Sequence, residues 1–322
     1  MRAIVFIGAG GNEVVRLEER DDPRPSGDDI LVNVRYAGLN PADLAQRAGH
    51  YPAPPGSPPD VPGIEVAGTV AALGPTARRF EVGTRVFGIV GGGGLADRVL
   101  VHERHVCAVP ENLDGLAAAA VPEAFVTAHD AVLTQAGLRP GELLVVNGAN
   151  GGVGTAAVQL ASATGARVLA TVRAEDLRDD VAALGTDVVG PDALVEAALE
   201  RGGADVVLEL VGAPNLGRDL DALAVKGRIV VVGTGAGDEA PLSLRALMSK
   251  RARLIGTVLR GRPLEEKAVA VQTFAREVVP NLASGRVAPL VDRVFAAAEA
   301  APAFDRLASP GKLGKVLLDF GA

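Results

Sequence analysis

Aromatic side chains and cysteine are scarce in this chain of 322 residues. Tryptophan is absent and aromatic residues make up only 3% of the sequence, so few side chains could stack on nucleic-acid bases. The single cysteine, Cys107, excludes an intrachain disulfide framework and favours a reducing compartment. The net charge of −7 counts against nucleic acid and anionic membranes as partners.

Long apolar runs are also missing. No stretch has the length of a transmembrane helix, and the apolar run at residues 3–7 is too short for the core of a signal peptide. We therefore expect a cytoplasmic protein. Hydrophobic residues nevertheless make up 48% of the sequence, and a chain of this length typically forms two domains.

The first part of the chain, residues 1–121, has the pattern of a mostly β domain. Short apolar runs alternate with Gly and Pro, and "ILVNVRY" at 30–36 places Val32, Val34 and Tyr36 on one side of a strand. The proline-rich tract at 51–63 lacks backbone donors and is predicted to be a surface loop.

Strands and helices alternate in the second part, which we predict to be a domain at residues 122–261. Continuous Val/Leu/Ile runs between helical segments are typical of a parallel sheet that is covered on both faces. Residues 262–322 form a third segment, with an amphipathic helix interrupted at Pro280 and two strand candidates. The residue pattern of this segment resembles that of the first part, and we predict that it returns to complete the first domain.

The sequence "NGANGGVG" at 147–154 predicts a dinucleotide-binding loop. Gly148, Gly151 and Gly154 stand three residues apart between a strand and a helix. Gly148 would permit the tight turn, Gly151 or Gly152 the approach of a pyrophosphate, and Gly154 the packing of helix on strand. The alternative is a glycine-rich turn without a ligand, which is our interpretation of "GAGG" at 8–11.

The end of the next strand bears on which dinucleotide is bound. Arg173 stands where a carboxylate would favour NAD, and its guanidinium could bind a 2′-phosphate, with help from Arg178. Glu175 and Asp176 leave alternatives open, since they could pair with the arginines or reach the ribose. The pattern favours NADP, and a solvated arginine at a strand end is the other interpretation.

No metal site or enzymatic nucleophile is predicted. His102, His105 and Cys107 form an H-x-x-H-x-C pattern, but no fourth ligand follows nearby, and a strand edge with a buried thiol is the better interpretation. The sequence contains no G-x-S-x-G motif. The chemistry is therefore expected to come from the cofactor.

Several motifs together resemble the zeta-crystallin-like quinone oxidoreductases of the medium-chain dehydrogenase/reductase superfamily. They are "AGLNPADLAQRAGHYPAPPGSPPDVPGIEVAGTVAALG", "AAAAVPEAFVTAHDAV", "NGANGGVG" and "GTVLRGRPLEEK", and the resemblance covers nearly the whole chain. The branch of tumour-suppressor-inducible quinone oxidoreductases is the most similar one. The resemblance implies an α/β fold, with a Rossmann doubly wound parallel sheet inserted into a GroES-like mostly-β catalytic domain, a cofactor in the cleft, and a homodimer or homotetramer.

The resemblance also implies site residues. Tyr51 and Asn40 are the candidate catalytic residues, although Tyr51 could instead cover apolar surface. Asn40 also suits a helix N-cap, with Pro41 at N1 and Asp43 at N3. The predicted cofactor-binding set is Asn40, Thr127, Gly148, Asn150, Gly151, Gly152, Val153, Gly154, Arg173, Arg178, Gly233, Thr257, Val258 and Leu259.

Departures from the family pattern matter as well. Ile64 occupies the slot of a metal-binding histidine in the superfamily's zinc enzymes, which implies that the protein is zinc-free. Ala174 replaces the relatives' Ser/Thr after the second strand, and Pro191 falls near another position of their phosphate pocket. These differences leave the preference for NADPH open and do not affect the expectation of cofactor binding.

The expected function is therefore NADPH-dependent, zinc-free transfer of hydride to a quinone or a related conjugated carbonyl. Two alternatives remain open: an enoyl reductase that acts on 2-enoyl thioesters, and a non-catalytic NADPH-binding sensor. The partners expected are a small-molecule quinone or enone and a second copy of the chain, without nucleic acid or membrane.

Overall fold

The structure is a computed structural model, and it describes residues 1–321. The chain forms two compact units. The first, called here the β-rich unit, contains Met1–Val126 and the chain from Leu259 onward, and the second, the parallel-sheet unit, is Thr127–Val258. The predicted ranges divide at 121/122 and 261/262, and whether these ranges are domains in their own right stays a prediction. Among the described helices, none is both long and apolar enough to cross a membrane.

The β-rich unit contains the first ten regular elements. They are β1 (Arg2–Phe6), β2 (Val15–Glu19), β3 (Asp29–Gly38), α1 (Pro41–Arg47), β4 (Glu65–Leu73), β5 (Arg85–Ile89), β6 (Arg98–His102), β7 (Val106–Ala108), α2 (Gly115–Ala119) and α3 (Pro122–His129), the last of which runs across the division between the units. In β3, Val32 and Val34 are buried and Asn33 is exposed, as the period of two predicts. Residues 51–63 contain no helix or strand.

Near its start the parallel-sheet unit contains a π-helical segment, Asp130–Gln135, that continues α3. Its elements are β8 (Leu143–Asn147), α4 (Gly152–Ala163), β9 (Arg167–Thr171), α5 (Arg178–Ala182), β10 (Asp187–Val189), α6 (Leu194–Glu200), β11 (Ala204–Glu209), α7 (Leu216–Ala222), β12 (Leu223–Val231), α8 (Leu244–Lys250) and β13 (Arg253–Gly256). All neighbouring strands of its six-stranded sheet are parallel, in the order β10-β9-β8-β11-β12-β13. Counted within the unit this order is 3-2-1-4-5-6, the doubly wound Rossmann arrangement.

The last segment returns to the β-rich unit, and its elements are α9 (Leu264–Glu277), α10 (Val279–Ala283), β14 (Val291–Ala296), α11 (Ala300–Ala308) and β15 (Lys315–Asp319). β15 pairs with β3, so the end of the chain completes the sheet that residues 29–108 begin. The break between α9 and α10 is at Val278. Pro280 stands in the first turn of α10, where a proline is tolerated, because its ring cannot continue the hydrogen bonding of a helix interior. The core of the unit combines residues from both segments, such as Ile30, Val66, Phe304 and Leu318.

Candidate functional site

The glycine loop lies at the carboxyl end of β8, in the parallel-sheet unit. β8 is flanked by β9 and β11, so the loop stands where the strand order reverses, the place at which doubly wound sheets bind their ligands. Gly148 has φ of +77°, a conformation that glycine adopts without strain. A Cβ atom on Gly154 would stand 2.5 Å from the carbonyl oxygen of Gly148, so only glycine lets α4 pack this closely on the turn.

The first turn of α4 has the properties of a phosphate cradle. Gly151 is the N-cap residue and provides no side-chain hydrogen bond to the free amides of the helix. A Cβ on Gly151 would have a single described atom within 4 Å, the carbonyl oxygen of Gly148 at 3.6 Å, so the space beside it is open. Gly152 and Val153 are half-buried at the helix start. Uncapped amides beside open space fit the pyrophosphate of a dinucleotide.

Two arginines follow β9, and they have different surroundings. Arg173 is exposed, and within the described residues it forms no ion pair or hydrogen bond. Arg178 donates to the carbonyl of Val172 at 3.2 Å and approaches Glu175 at 3.4 Å. Of the predicted pair, Arg173 therefore has its guanidinium available, whereas Arg178 is held by its neighbours.

A buried polar network supports the same edge of the sheet. Asn147, the last residue of β8, donates from its side-chain amide to Glu209 and to Asp219, each at 2.6 Å. Glu209, at the end of β11, accepts the backbone N–H groups of Val211 and Gly212. Burial, followed by the charge of Glu209, raises the pKa of Asp219 to about 8. Asp219 therefore keeps a proton at neutral pH.

The remaining predicted residues of the parallel-sheet unit lie in helix α3, in the glycine loop and in the segments after β12 and β13. Thr127 is buried, and Val258 is 53% exposed. Thr257 donates its hydroxyl to Asp130 at 3.2 Å. Gly233 has a packing reason of its own, since a Cβ there would lie 2.2 Å from the carbonyl oxygen of Leu210. Asn150 is half-buried within the glycine loop.

In the β-rich unit, Asn40 directly precedes α1 and contacts a buried ion pair between Lys315 and Glu65. Asn40 stands at the N-cap position with Pro41 at N1, and Asp43 accepts the backbone N–H of Asn40 at 2.8 Å, but the Asn40 side chain makes no capping hydrogen bond to the helix. The side chain of Asn40 donates to Glu65 at 2.6 Å and accepts from Lys315 at 2.7 Å. Lys315 also pairs with Glu65, and both side chains are buried. The Asn40 side chain therefore bonds both members of the ion pair, at the residue where the helix begins.

Tyr51 is half-buried in the same unit, and a buried arginine stacks on its ring. The guanidinium carbon of Arg260 lies 4.9 Å from the ring centroid. Burial raises the pKa of Tyr51, the charge of Arg260 lowers it, and the charge of Glu123 raises it. Leu259, the last predicted cofactor residue, is buried and directly precedes Arg260.

The comparisons with known proteins agree with this geometry. The family model "Alcohol dehydrogenase GroES-like domain" matches residues 26–111, and "Zinc-binding dehydrogenase" matches 152–276. Quinone oxidoreductase of Rattus norvegicus is 33% identical over 328 residues, which is 99% of this chain and 97% of the rat protein. The chain belongs to the quinone oxidoreductase family of the medium-chain dehydrogenase/reductase superfamily.

Solved structures extend this result to the fold. The quinone oxidoreductase of Thermus thermophilus, whose structures include a complex with NADPH, has a TM-score of 0.85 and 34% identity, over 99% of this chain and all of that one. A mycobacterial protein complexed with NADPH has a TM-score of 0.89 and 25% identity, over 99% of this chain and 100% of its own. The predicted Rossmann and GroES-like architecture is confirmed, and this family member is an NAD(P)-dependent oxidoreductase of small molecules.

The positions compared with metal ligands in the sequence have apolar or buried surroundings in the structure. Ile64 is buried, and burial raises the pKa of the Cys107 thiol to about 12. His105 is also buried, which lowers its pKa to about 4, and its Nε2 lies 3.1 Å from the carbonyl oxygen of Leu264. Among residues 1–321 no group of three His, Cys, Asp or Glu side chains is placed to hold a metal ion.

Four buried polar residues of these sites were not predicted from the sequence. Lys315 and Arg260 pair with residues more than 200 positions away in the chain. Glu209 and Asp219 lie closer to Asn147, but only the parallel pairing of β8 with β11 brings this network together. The one signal in the sequence was a charged residue within an otherwise apolar strand, as at Glu65 in "PGIEVAG" and Lys315 in "GKVLLDF".

Proposed function

We propose that this quinone oxidoreductase uses NADPH to reduce quinones and works without zinc. The observation that carries the cofactor preference is Arg173, an exposed guanidinium without an ion pair within the described chain, at the end of the strand beside the glycine loop. A 2′-phosphate suits such a group, because arginine binds phosphate oxygens through two parallel hydrogen bonds. Two similar proteins of known structure, from Thermus thermophilus and a mycobacterium, are complexes with NADPH.

The chain's own groups bind and orient the reactants. The amides at the start of α4 hold the pyrophosphate, and Arg173 holds the 2′-phosphate. When bound, the nicotinamide supplies a hydride, which together with one proton converts a quinone into a hydroquinone. Tyr51 donates a hydrogen bond to the acceptor oxygen. A strong protein acid is unnecessary, because the hydroquinone anion is delocalised and takes its proton from water or from Tyr51.

The proposal that the protein works without zinc rests on the side chains available as metal ligands. Ile64 has no metal-binding atom, and the Cys107 thiol is buried and stays protonated at neutral pH. Chelator-treated protein is expected to keep its rate, and elemental analysis to find no stoichiometric zinc. One zinc per chain, with activity lost on its removal, would overturn this part of the proposal.

The decisive assay measures NADPH and NADH oxidation against a benzoquinone, a simple enone and crotonyl-CoA. The proposal expects turnover with the quinone and a preference for NADPH. Faster turnover of crotonyl-CoA than of any quinone would favour an enoyl reductase. Cofactor binding without turnover of any acceptor would favour a sensor. A preference for NADH would reject the role of Arg173.

Self-association and location belong to the same proposal. β13 is the edge strand of its sheet, and its Leu254 is 43% exposed. Leu244 and Met248, on the helix α8 that precedes β13 in the chain, are 66% and 74% exposed. An apolar edge of this kind invites pairing with a second copy. Light scattering is expected to give a dimer or tetramer, which Leu254→Lys dissociates and Leu199→Lys, on α6, does not. A monomeric parent would contradict the proposed self-association.

The proposed location is the cytoplasm. The single cysteine is a buried free thiol, which suits a reducing compartment.

A further inference from the structure

Arg260 connects three parts of the β-rich unit through one buried guanidinium. The side chain is 5% exposed. Its Nε donates to the carbonyl of Gly91 at 2.8 Å, one terminal nitrogen to the carbonyl of Tyr51 at 3.3 Å, and the other to Oε1 of Gln46 at 2.5 Å. The loop after β5, the loop that begins at Tyr51 and helix α1 are therefore fixed to one another.

The same guanidinium covers the Tyr51 ring, with 4.9 Å between its carbon and the ring centroid. A planar cation at this distance is attracted to the face of an aromatic ring, more strongly when both are removed from water. The backbone and the ring of Tyr51 are thus held by one residue. Gln46 extends the arrangement, because its Nε2 donates to the carbonyl of Pro59, further along the same loop.

Few charged groups act on Arg260 and Tyr51. Asp43 and Glu123 act on Arg260 from α1 and α3, and the ammonium of Lys267, from α9, donates to the Arg260 carbonyl at 2.9 Å. Besides Arg260, the charge of Glu123 acts on Tyr51. Since Arg260 stacks directly on the ring, removing its charge is expected to change the pKa of the Tyr51 hydroxyl.

We propose that Arg260 is a positioning residue of the reaction: it holds the ring and loop of Tyr51 so that the tyrosine hydroxyl has one orientation toward the acceptor. The proposal rests on the proposed function, in which Tyr51 hydrogen-bonds the acceptor oxygen. Arg260 is too deeply buried to bind the acceptor itself, so it acts through Tyr51. A loosened Tyr51 no longer holds its hydrogen bond to the acceptor oxygen, so turnover is expected to fall roughly threefold to tenfold.

The first test is spectroscopic and needs no turnover. The chain contains no tryptophan and only two tyrosines, so in a Tyr36→Phe background the tyrosinate absorbance reports Tyr51 alone. Arg260→Met is expected to move the titration midpoint of Tyr51 to higher pH, read by stopped-flow pH jumps before the protein unfolds. Arg260→Lys, which keeps the charge, is expected to restore most of the shift. An unchanged midpoint in Arg260→Met would overturn the proposal.

A matched control exists in the same unit. Arg35 stacks on Tyr36 at 5.2 Å and pairs with Asp319 on the surface. In the Tyr36→Phe background, Arg35→Met is expected to leave the Tyr51 midpoint unchanged. If Arg35→Met shifted the Tyr51 midpoint as much as Arg260→Met does, the titration would report the net charge of the protein and not the stacking of Arg260 on Tyr51. The titration would then no longer support the proposal.

The second test is a double-mutant cycle on quinone turnover. Arg260→Met is expected to lower kcat roughly threefold to tenfold in the parent, and by no more than Tyr51→Phe does, because only the hydrogen bond of Tyr51 is lost. The Kd for NADPH should stay within about twofold, and Arg260→Met should have little effect in Tyr51→Phe, which lacks the hydroxyl. An equal loss in both backgrounds would show that Arg260 is merely structural. If the parent turns over no quinone, the proposed function fails, while the titration still decides whether Arg260 controls Tyr51.

Discussion

At the end of β9, a single side chain is expected to discriminate between the two nicotinamide cofactors. Arg173→Ala removes a charge-assisted contact worth about 1.5–3 kcal/mol, so the Kd for NADPH should rise roughly 10- to 100-fold, with that for NADH nearly unchanged. Isothermal titration with both cofactors measures this. Glu175→Gln is the companion variant: if it weakens NADH binding and Arg173→Ala affects both cofactors equally, the carboxylate reaches the ribose and the arginine assignment is wrong.

The buried pair of Lys315 with Glu65 gives a second prediction at this scale. Lys315→Met leaves the Glu65 carboxylate buried without its cation, which should lower the free energy of unfolding by about 3–5 kcal/mol in urea titrations. Adding Glu65→Gln should recover part of the loss, because it removes the orphaned charge. Arg276→Met, which breaks an exposed pair on α9, should cost no more than about 1 kcal/mol. Equal costs for the buried and the exposed pair would contradict the prediction.

Individual residues also show what the sequence could and could not predict. Gly148 and Gly154 were recognisable because spacing between a strand and a helix is a local pattern. The period of two in β3 is local in the same way. Lys315 pairs with a carboxylate 250 residues away and Arg260 with a tyrosine loop 209 residues away, and no local pattern encodes such pairs. The sequence therefore predicted the fold and the place of the glycine loop, and it missed the buried charges that contact Asn40 and Tyr51.

Among the elements, the start of α4 carries the clearest test. Gly151 has φ −77° and ψ 168°, which a β-branched residue adopts easily, and its Cβ would point into open space. Gly151→Val should therefore leave the free energy of unfolding within about 0.5 kcal/mol while it blocks the approach of a pyrophosphate. Cofactor affinity, measured by fluorescence of bound NADPH, should fall at least tenfold.

Two other glycines of the same unit serve as controls for this helix. Gly217→Val, on α7, also meets open space and should leave both stability and cofactor affinity unchanged. Gly154→Val should instead destabilise the protein, because its Cβ would meet the carbonyl oxygen of Gly148 at 2.5 Å. If Gly151→Val binds NADPH as the parent does, the loop is only a turn.

For the whole molecule, the raised pKa of Asp219 predicts how stability depends on pH. The pKa of Asp219 is raised from an ordinary carboxyl value to about 8, so between about pH 4 and 8 the folded chain keeps a proton that the unfolded chain releases. Stability is then greatest below the unfolded pKa and is lost as pH rises through the folded one. The slope is at most about 1.4 kcal/mol per pH unit, and it vanishes above pH 8.

Asp43 acts in the same direction at lower pH, since burial raises its pKa to about 6, so the window that isolates Asp219 lies above that value. Urea unfolding between about pH 6.5 and 8 should show stability falling in the parent and nearly constant in Asp219→Asn, which cannot ionise. Asp221→Asn, an exposed acid on the same helix, should follow the parent. Because Asp219 bonds the last residue of β8, the parent's cofactor affinity should fall over the same range. Parallel stability curves for the parent and Asp219→Asn would show that Asp219 does not keep its proton in the folded chain.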